Sequence, residues 1–402
     1  MARGPGDTDM GEAAAGAAGT SDAAAAPSAP GGADASVAFR CTHVLEGHTK
    51  AVASVKFTPD GRLLASGSAD RTVALWDLAS GARVSTLAGH ACGVSDVAWN
   101  PNGRYLATAA DDNSLKLWDA ETGACLRTLT GHTNYVFCCN FDGAAGHLLA
   151  SGSFDETLRL WDVRSGRCLR EVPAHSDPVT SAAFSYDGSM IVTSSLDGLI
   201  RLWDTQTGHC LKTLFDRESP PVSFAAFTPN AKYVLCNTLD GRAKLWDYAA
   251  GRTRRTYTGG HTNTQFCISS GFLGASGGAG GGGSSSSSSG GASDLGCSMV
   301  VTGSEDGSLV AYDINTGQVV GRGAAAATAA AATTAAAATA ERGAAGEAAG
   351  AGAAAAGAGG GHTAAVLSVN VHPSAPLVAT GGHHPDNSVR VWAASRAEPA
   401  AA

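Results

Sequence analysis

A unit that recurs about every 42 residues constrains this chain more than any other feature. The copy from Gly131 to Asp162, GHTNYVFCCNFDGAAGHLLASGSFDETLRLWD, opens with Gly131-His132 and closes with Trp161-Asp162. Between them lie three short runs rich in Val, Phe, Leu and Thr, separated by the turn-formers Asp142-Gly143 and Asp155. Polar and apolar residues alternate from Thr157 to Trp161 with the period of two of a half-buried strand. Such a unit cannot bury its own faces, so the copies must stack into one domain, although 402 residues could hold two.

The copies can be followed by their opening His and closing aromatic. His48 goes with Trp76, His90 with Trp118, His132 with Trp161 and His175 with Trp203. The fifth unit has Ser219-Pro-Pro-Val in place of its His and ends at Trp246; the sixth runs from His261 to Tyr312, the seventh from His362 to Trp392. An Asp stands six residues before each closing aromatic: Asp70, Asp112, Asp155, Asp197, Asp240, Asp306 and Asp386. In a tight turn it can bond backbone and imidazole, tying the turn to the opening His and closing Trp.

Period and signature resemble the WD40 repeat, which implies an all-β, seven-bladed WD40 β-propeller with four strands per blade around a central channel. The seventh unit holds only three strand-like runs, and Val37–Val44 is expected to supply the missing outer strand. The propeller is thereby closed by an N-terminal strand, leaving no exposed edge. Its expected span is residues 36–393, followed by a tail over 394–402. Residues 1–35 are almost devoid of large apolar side chains and read as disordered. Two low-complexity inserts, Gly/Ser-rich at about 274–293 and Ala-rich at about 323–360, are expected on the rim.

Charge and motifs narrow the function. A net charge of −8 disfavours nucleic acid or an anionic membrane as main partner. No apolar run approaches the roughly 18 residues of a membrane span. Asp7, Asp9 and Glu12 argue against a targeting leader. The ten cysteines form no C-x-x-C pair and read as core fillers in a reducing, intracellular compartment. A His, an Asp and a Ser/Thr recur in nearly every unit, which suits architecture rather than a single catalytic triad. His383-His384 near Asp386 reads as a solvated turn rather than a metal site, and no cofactor is implied. The chain therefore reads as a rigid recognition platform and not an enzyme.

The segments NYVFCCNF, SGSFDE and AHSDPV, with GHTKAVASVKFTPDG and PPVSFAAFTPN, are far less general than the WD signature. From about Thr42 to Trp392, inserts excluded, they resemble the WD repeat-containing protein five family. That family supplies the propeller subunit of COMPASS-type (SET1/MLL) histone H3 lysine-4 methyltransferase complexes. The resemblance implies a nuclear scaffold, with the cytoplasm as a second location. It further implies that one channel mouth takes an arginine side chain from the histone H3 tail or from the methyltransferase. The matching positions are Ala69, Ser95, Asp111, Phe137, Ser223, Phe266 and Cys267. A planar guanidinium favours such a narrow site with an aromatic face and fixed acceptors. Ser95 and Ser223 also suit ordinary strand starts; Phe137 reads as a channel contact, with core packing the alternative.

On the opposite face the resemblance implies a site for a retinoblastoma-binding-protein-five-type subunit. Its residues are Asn230, Tyr233, Leu245, Arg255 and Asn315, where Tyr233 and Leu245 are either interface anchors or blade packing. Three positions depart from the family: Ser269 stands for the second clamping phenylalanine, Leu196 for a tyrosine and His383 for a leucine. Phe266 and Phe272 are the aromatics available to replace the missing face. The alternative function is a WD40 adaptor of another intracellular complex, such as a ubiquitin-ligase substrate receptor; a hydrolase ranks third.

Overall fold

The computed structural model of the chain describes residues 36–143, 145–274, 297–323 and 361–396. The disordered tail, the two inserts and the end of the C-terminal tail expected from composition lie outside these residues, apart from their edges. Among the described residues the chain forms 28 strands and no helix.

The first blade shows how sequence becomes strand. β2 (Val52–Phe57) pairs antiparallel with β3 (Leu63–Ser68), β3 with β4 (Thr72–Asp77), and β4 with β5 (Arg83–Ala88). β3 and β4, LLASGS and TVALWD, are flanked by other strands on both sides and are almost wholly buried. β5, RVSTLA, lies outermost, and only Leu87 in it is buried. The same order repeats in β6–β9 (residues 94–130), β10–β13 (136–173), β14–β17 (179–215) and β18–β21 (222–257).

The sixth blade is β22 (Ser270–Leu273), β23 (Met299–Gly303), β24 (Leu309–Asp313) and β25 (Val319–Gly323). The seventh is β26 (Val366–Val371), β27 (Leu377–Gly382) and β28 (Val389–Arg396), with β1 (Val37–Leu45) as its outer strand. β1 runs antiparallel to β28 from the pair Val37–Arg396 to the pair Leu45–Val389. It also meets β25 in parallel at Val37 and Ala38, which joins the last two blades into one eight-stranded sheet. The propeller is thus closed by its N-terminal strand. β28 continues past residue 393, the end expected from sequence, because Ala394, Ser395 and Arg396 find partners in Phe39, Ala38 and Val37.

The core lies between blades. One cluster sets Ala98, Leu115 and Leu117 of blade 2 against Val136, Phe141, Leu149 and Trp161 of blade 3. Full burial of such side chains stabilises by roughly 1.5–3 kcal/mol each, so every blade depends on its neighbours.

Within the blades a four-residue network fixes the turns. In blade 3 Trp161 Nε1 donates to Ser151 Oγ (2.8 Å), Ser151 Oγ meets His132 Nε2 (2.8 Å), and His132 Nδ1 meets Asp155 Oδ2 (2.8 Å). A neutral imidazole satisfies all three bonds if the serine donates to Nε2 and Nδ1–H donates to the carboxylate. His48, His90, His175 and His362 sit in equivalent networks in blades 1, 2, 4 and 7. Blade 6 departs: Tyr312 replaces the Trp, and its hydroxyl bonds His261 Nδ1 at 2.7 Å instead. The link from turn to Trp therefore passes through a hydroxyl on the blade's second strand.

Candidate functional site

The innermost strand of each blade has one edge without a strand partner, and its N–H groups need acceptors. Side chains of the neighbouring blade provide them. Asp96 Oδ2 accepts from Cys139 N (3.0 Å), Ser181 Oγ from Ala225 N (2.8 Å), Ser269 Oγ from Val369 N (2.9 Å) and Ser368 Oγ from Val55 N (3.1 Å). These polar residues line the channel, yet much of their bonding capacity is spent holding the ring together.

Strand direction divides the channel into two ends. The loop before each inner strand and the turn between second and third strands share one end; the remaining two turns share the other. At the first end two tiers of side chains face inward. In blades 2, 3 and 5 a buried Val opens the inner strand and the residue after it lines the channel: Ser95 after Val94, Phe137 after Val136, Ser223 after Val222; in blade 6 Ser269, just before β22, lines it at the level of Asp96 and Ser181. Above them the turn residue after the second strand of six blades forms a rim: Ala69, Asp111, Phe154, Leu196, Leu239 and His383. The cavity they enclose is about 810 Å³ and reaches down to Lys56, Asn140 and Asn370. All seven residues expected at the arginine site, Ala69, Ser95, Asp111, Phe137, Ser223, Phe266 and Cys267, line this one cavity.

The chemistry of the mouth is asymmetric. On blade 3, Phe137 packs against Phe154 with ring centroids 5.6 Å apart, and Phe154 in turn meets the exposed Tyr135 at 5.9 Å. On blade 2, Ser95 Oγ donates to Asp111 Oδ1 at 2.7 Å, which holds a carboxylate at the rim. On blade 6, Glu305 accepts from the backbone N–H groups of Thr264 (2.7 Å), Gln265 (2.6 Å) and Phe266 (3.2 Å). Burial would raise the Glu305 pKa, but these bonds outweigh it and the carboxyl stays below its ordinary range. The clasp fixes Phe266, whose ring lies 4.8 Å from that of His383 on blade 7 with the planes inclined by 42°. Burial pushes the Cys267 thiol up to about 12, so it stands in the wall as a neutral group.

Ser269 lies on blade 6, three blades from Phe137, as far across a ring of seven as a residue can be. The side opposite Phe137 thus carries a small hydroxyl, with Phe266 and His383 as the nearby rings. Phe272 also lines the cavity, but it packs against the core between blades 5 and 6. Phe154 was not singled out from sequence. The signal was an aromatic at a turn position that holds Ala69 in blade 1 and Asp111 in blade 2. Among the described residues no three His, Cys, Asp or Glu side chains are grouped to hold a metal.

At the other end, Asn230 lies in the β18–β19 turn, Asn315 in the β24–β25 turn, and Tyr233 at the foot of β19 (Val234–Thr238). Arg255 is exposed on β21 (Arg252–Tyr257). Leu245 is 0% exposed and packs with Tyr233, Leu235 and Tyr257 between blades 5 and 6, so it offers a partner no surface. Tyr233 is largely buried as well, and the Arg254 guanidinium lies over its ring at 4.8 Å while bonding its hydroxyl.

Seven four-stranded blades around a channel with a recessed polar-aromatic mouth define a WD40-repeat β-propeller, a fold of scaffolds and adaptors. Residues 44–393 match the family described as the WDR5 beta-propeller domain, and the chain belongs to that family. It is similar along its whole length to Protein Mut11 of Chlamydomonas reinhardtii, at 83% identity over 402 residues covering 100% of both chains. Protein Notchless of Drosophila melanogaster is 62% identical over only 39 residues, 10% of this chain and 8% of that protein, about the length of one blade. The Notchless protein homolog of Arabidopsis thaliana shares 59% over 39 residues in the same way. These two likenesses concern the repeat alone.

Proposed function

We propose that the chain is a non-catalytic scaffold whose channel mouth binds an arginine side chain from the histone H3 tail or from a SET1/MLL-type methyltransferase. Its other face engages a retinoblastoma-binding-protein-five-type subunit, and together these contacts support histone H3 lysine-4 methylation in the nucleus. The convergence of Ala69, Ser95, Asp111, Phe137, Ser223, Phe266 and Cys267 on one cavity carries the reading. A guanidinium entering there meets the Phe137–Phe154 pair on one side and the Asp111 carboxylate at the rim. Cation–π attraction of roughly 0.5–2 kcal/mol and charge-assisted hydrogen bonds both favour it over a neutral side chain.

The test is titration calorimetry with an amino-acetylated histone H3 tail peptide and its arginine-to-alanine counterpart. Binding of the first and not the second is expected, with at least tenfold loss in Phe137→Ala. Equal binding of both peptides sinks the proposal.

A further inference from the structure

We propose that His383 is a specificity-determining residue of the channel mouth: its neutral imidazole accepts a hydrogen bond from the bound guanidinium through Nε2, which makes arginine binding pH-dependent. This rests on the arginine-pocket reading above and assigns it a residue and a regulation.

Three observations carry the inference. His383 lines the same cavity as Phe137 and Asp111. Its Nδ1 lies 2.9 Å from the His384 carbonyl oxygen, which can only accept, so Nδ1 carries the proton. In the neutral ring Nε2 is then left as an acceptor, and among the described residues no hydrogen bond uses it. The ring is held in orientation by its contact with Phe266, itself clasped by Glu305, and by the bond from His383 N to Ala365 O at 2.8 Å. An arginine has five donors and no acceptor, so an acceptor at the mouth selects for it.

An imidazole changes charge between about pH 5 and 8. Protonation removes the Nε2 lone pair and places a cation beside the guanidinium. The charged groups of adjoining elements are engaged in other ways. Glu305 is taken by the 264–266 backbone. Asp386 is taken by His362 and Ser388, with Arg390 at 3.6 Å. His384 Nδ1 faces Asn387 Nδ2 at 3.4 Å, and Lys50 on the neighbouring loop is exposed. Asp111, on blade 2, accepts from Ser95 Oγ at 2.7 Å.

The experiment titrates the full chain with the acetylated histone H3 tail peptide at pH 8.0 and 5.5, the acetyl group removing the peptide's own amine from the titration. Wild type should bind about tenfold more weakly at pH 5.5. His383→Gln, which keeps an acceptor without a titrating proton, should retain most of the pH 8.0 affinity and lose the pH dependence. His383→Leu should bind about tenfold more weakly at pH 8.0 and be equally insensitive to pH. A flat wild-type profile, a slope that survives in both variants, or full-strength binding by His383→Leu at pH 8.0 overturns the assignment. Failure of wild type to bind at either pH strikes the arginine pocket itself, and so is distinguishable.

Discussion

Ser269 Oγ accepts the backbone N–H of Val369 at 2.9 Å, a bond that ties blade 6 to blade 7 at the level where Asp96 and Ser181 tie blades 2 and 4 to their neighbours. Ser269→Phe should therefore do two opposite things. A second aromatic face adds roughly 0.5–2 kcal/mol of cation–π attraction, a three- to thirtyfold gain in arginine-peptide affinity. An orphaned Val369 N–H costs about 1–3 kcal/mol of stability. Calorimetry should show tighter binding while thermal melting shows a less stable protein. Unchanged melting would mean that the N–H finds another acceptor, and unchanged affinity that the new ring does not reach the guanidinium.

The networks within blades predict a larger stability loss from a smaller change. Ser151→Ala removes one oxygen but leaves Trp161 Nε1 and His132 Nε2, both in the interior, without partners. The expected cost is about 2–5 kcal/mol, more than an ordinary buried serine contributes. Urea denaturation measures it directly. A loss below about 1 kcal/mol would mean that water or a rotated side chain replaces the hydroxyl.

Much of this was legible because a repeat states its period openly. The seven Asp–aromatic spacings, six of them with an opening His, set the blade count, and the strand-like run VAFRCTHVL before the first Gly-His indicated the closing strand. The polar channel wall was less legible. Asp96 and Ser181 bond the backbone of the next blade, a contact 43–44 residues away in sequence that no local pattern reveals. Leu245 shows the same limit: an apolar residue on a strand can face a partner or the neighbouring blade, and only the register decided for the neighbour. The Phe266–His383 contact joins two blades through residues more than a hundred positions apart, and so could not be read from either unit.

Acid should weaken the fold through blade 6. Burial lowers the His261 pKa to about 4, below the ordinary imidazole value, because the charged form is disfavoured inside. A depressed histidine contributes stability that is fully present above about pH 6.5 and lost as pH falls toward 4, on the order of 3 kcal/mol. Further down, Asp386 acts with the same sign. Burial opposes its ionisation, but the bond from His362, with help from Ser388 and Arg390, outweighs it and holds the carboxyl at about 2, so its contribution disappears between roughly pH 4 and 2. His261→Gln keeps a partner for Tyr312 without a titrating proton. Melting temperatures recorded from pH 7 to 4 should fall less steeply in this variant than in wild type; parallel curves would assign the loss to other groups.

Closure by β1 predicts a sharp boundary in truncation. A chain that starts at Ala35 retains the whole antiparallel ladder between β1 and β28, whereas one that starts at Glu46 exposes β28 as an edge. The second truncation also removes Leu45 from the core between blades 7 and 1. The shorter chain should melt at least 10 °C lower or aggregate, since an open apolar edge invites pairing with other molecules. Equal melting of the two chains would show that β1 adds nothing to the ring.

The far face separates a binding residue from a supporting one. Arg255 is exposed, and its replacement disturbs no packing. Arg255→Glu should weaken binding of an acidic, apolar tail peptide about tenfold or more, increasingly at low salt, while melting and arginine-peptide binding stay as in wild type. Leu245→Ala should behave differently, because deleting a fully buried leucine costs about 2–5 kcal/mol and damages both ends of the channel together. Tyr233→Ala falls between the two: it opens the core and frees Arg254 from the ring it covers, so both stability and tail binding should drop. Calorimetry with the two peptides on all three variants, each checked by thermal melting, reads the difference. If Arg255→Glu leaves the acidic tail bound at full strength at low salt, the partner site lies elsewhere on the propeller.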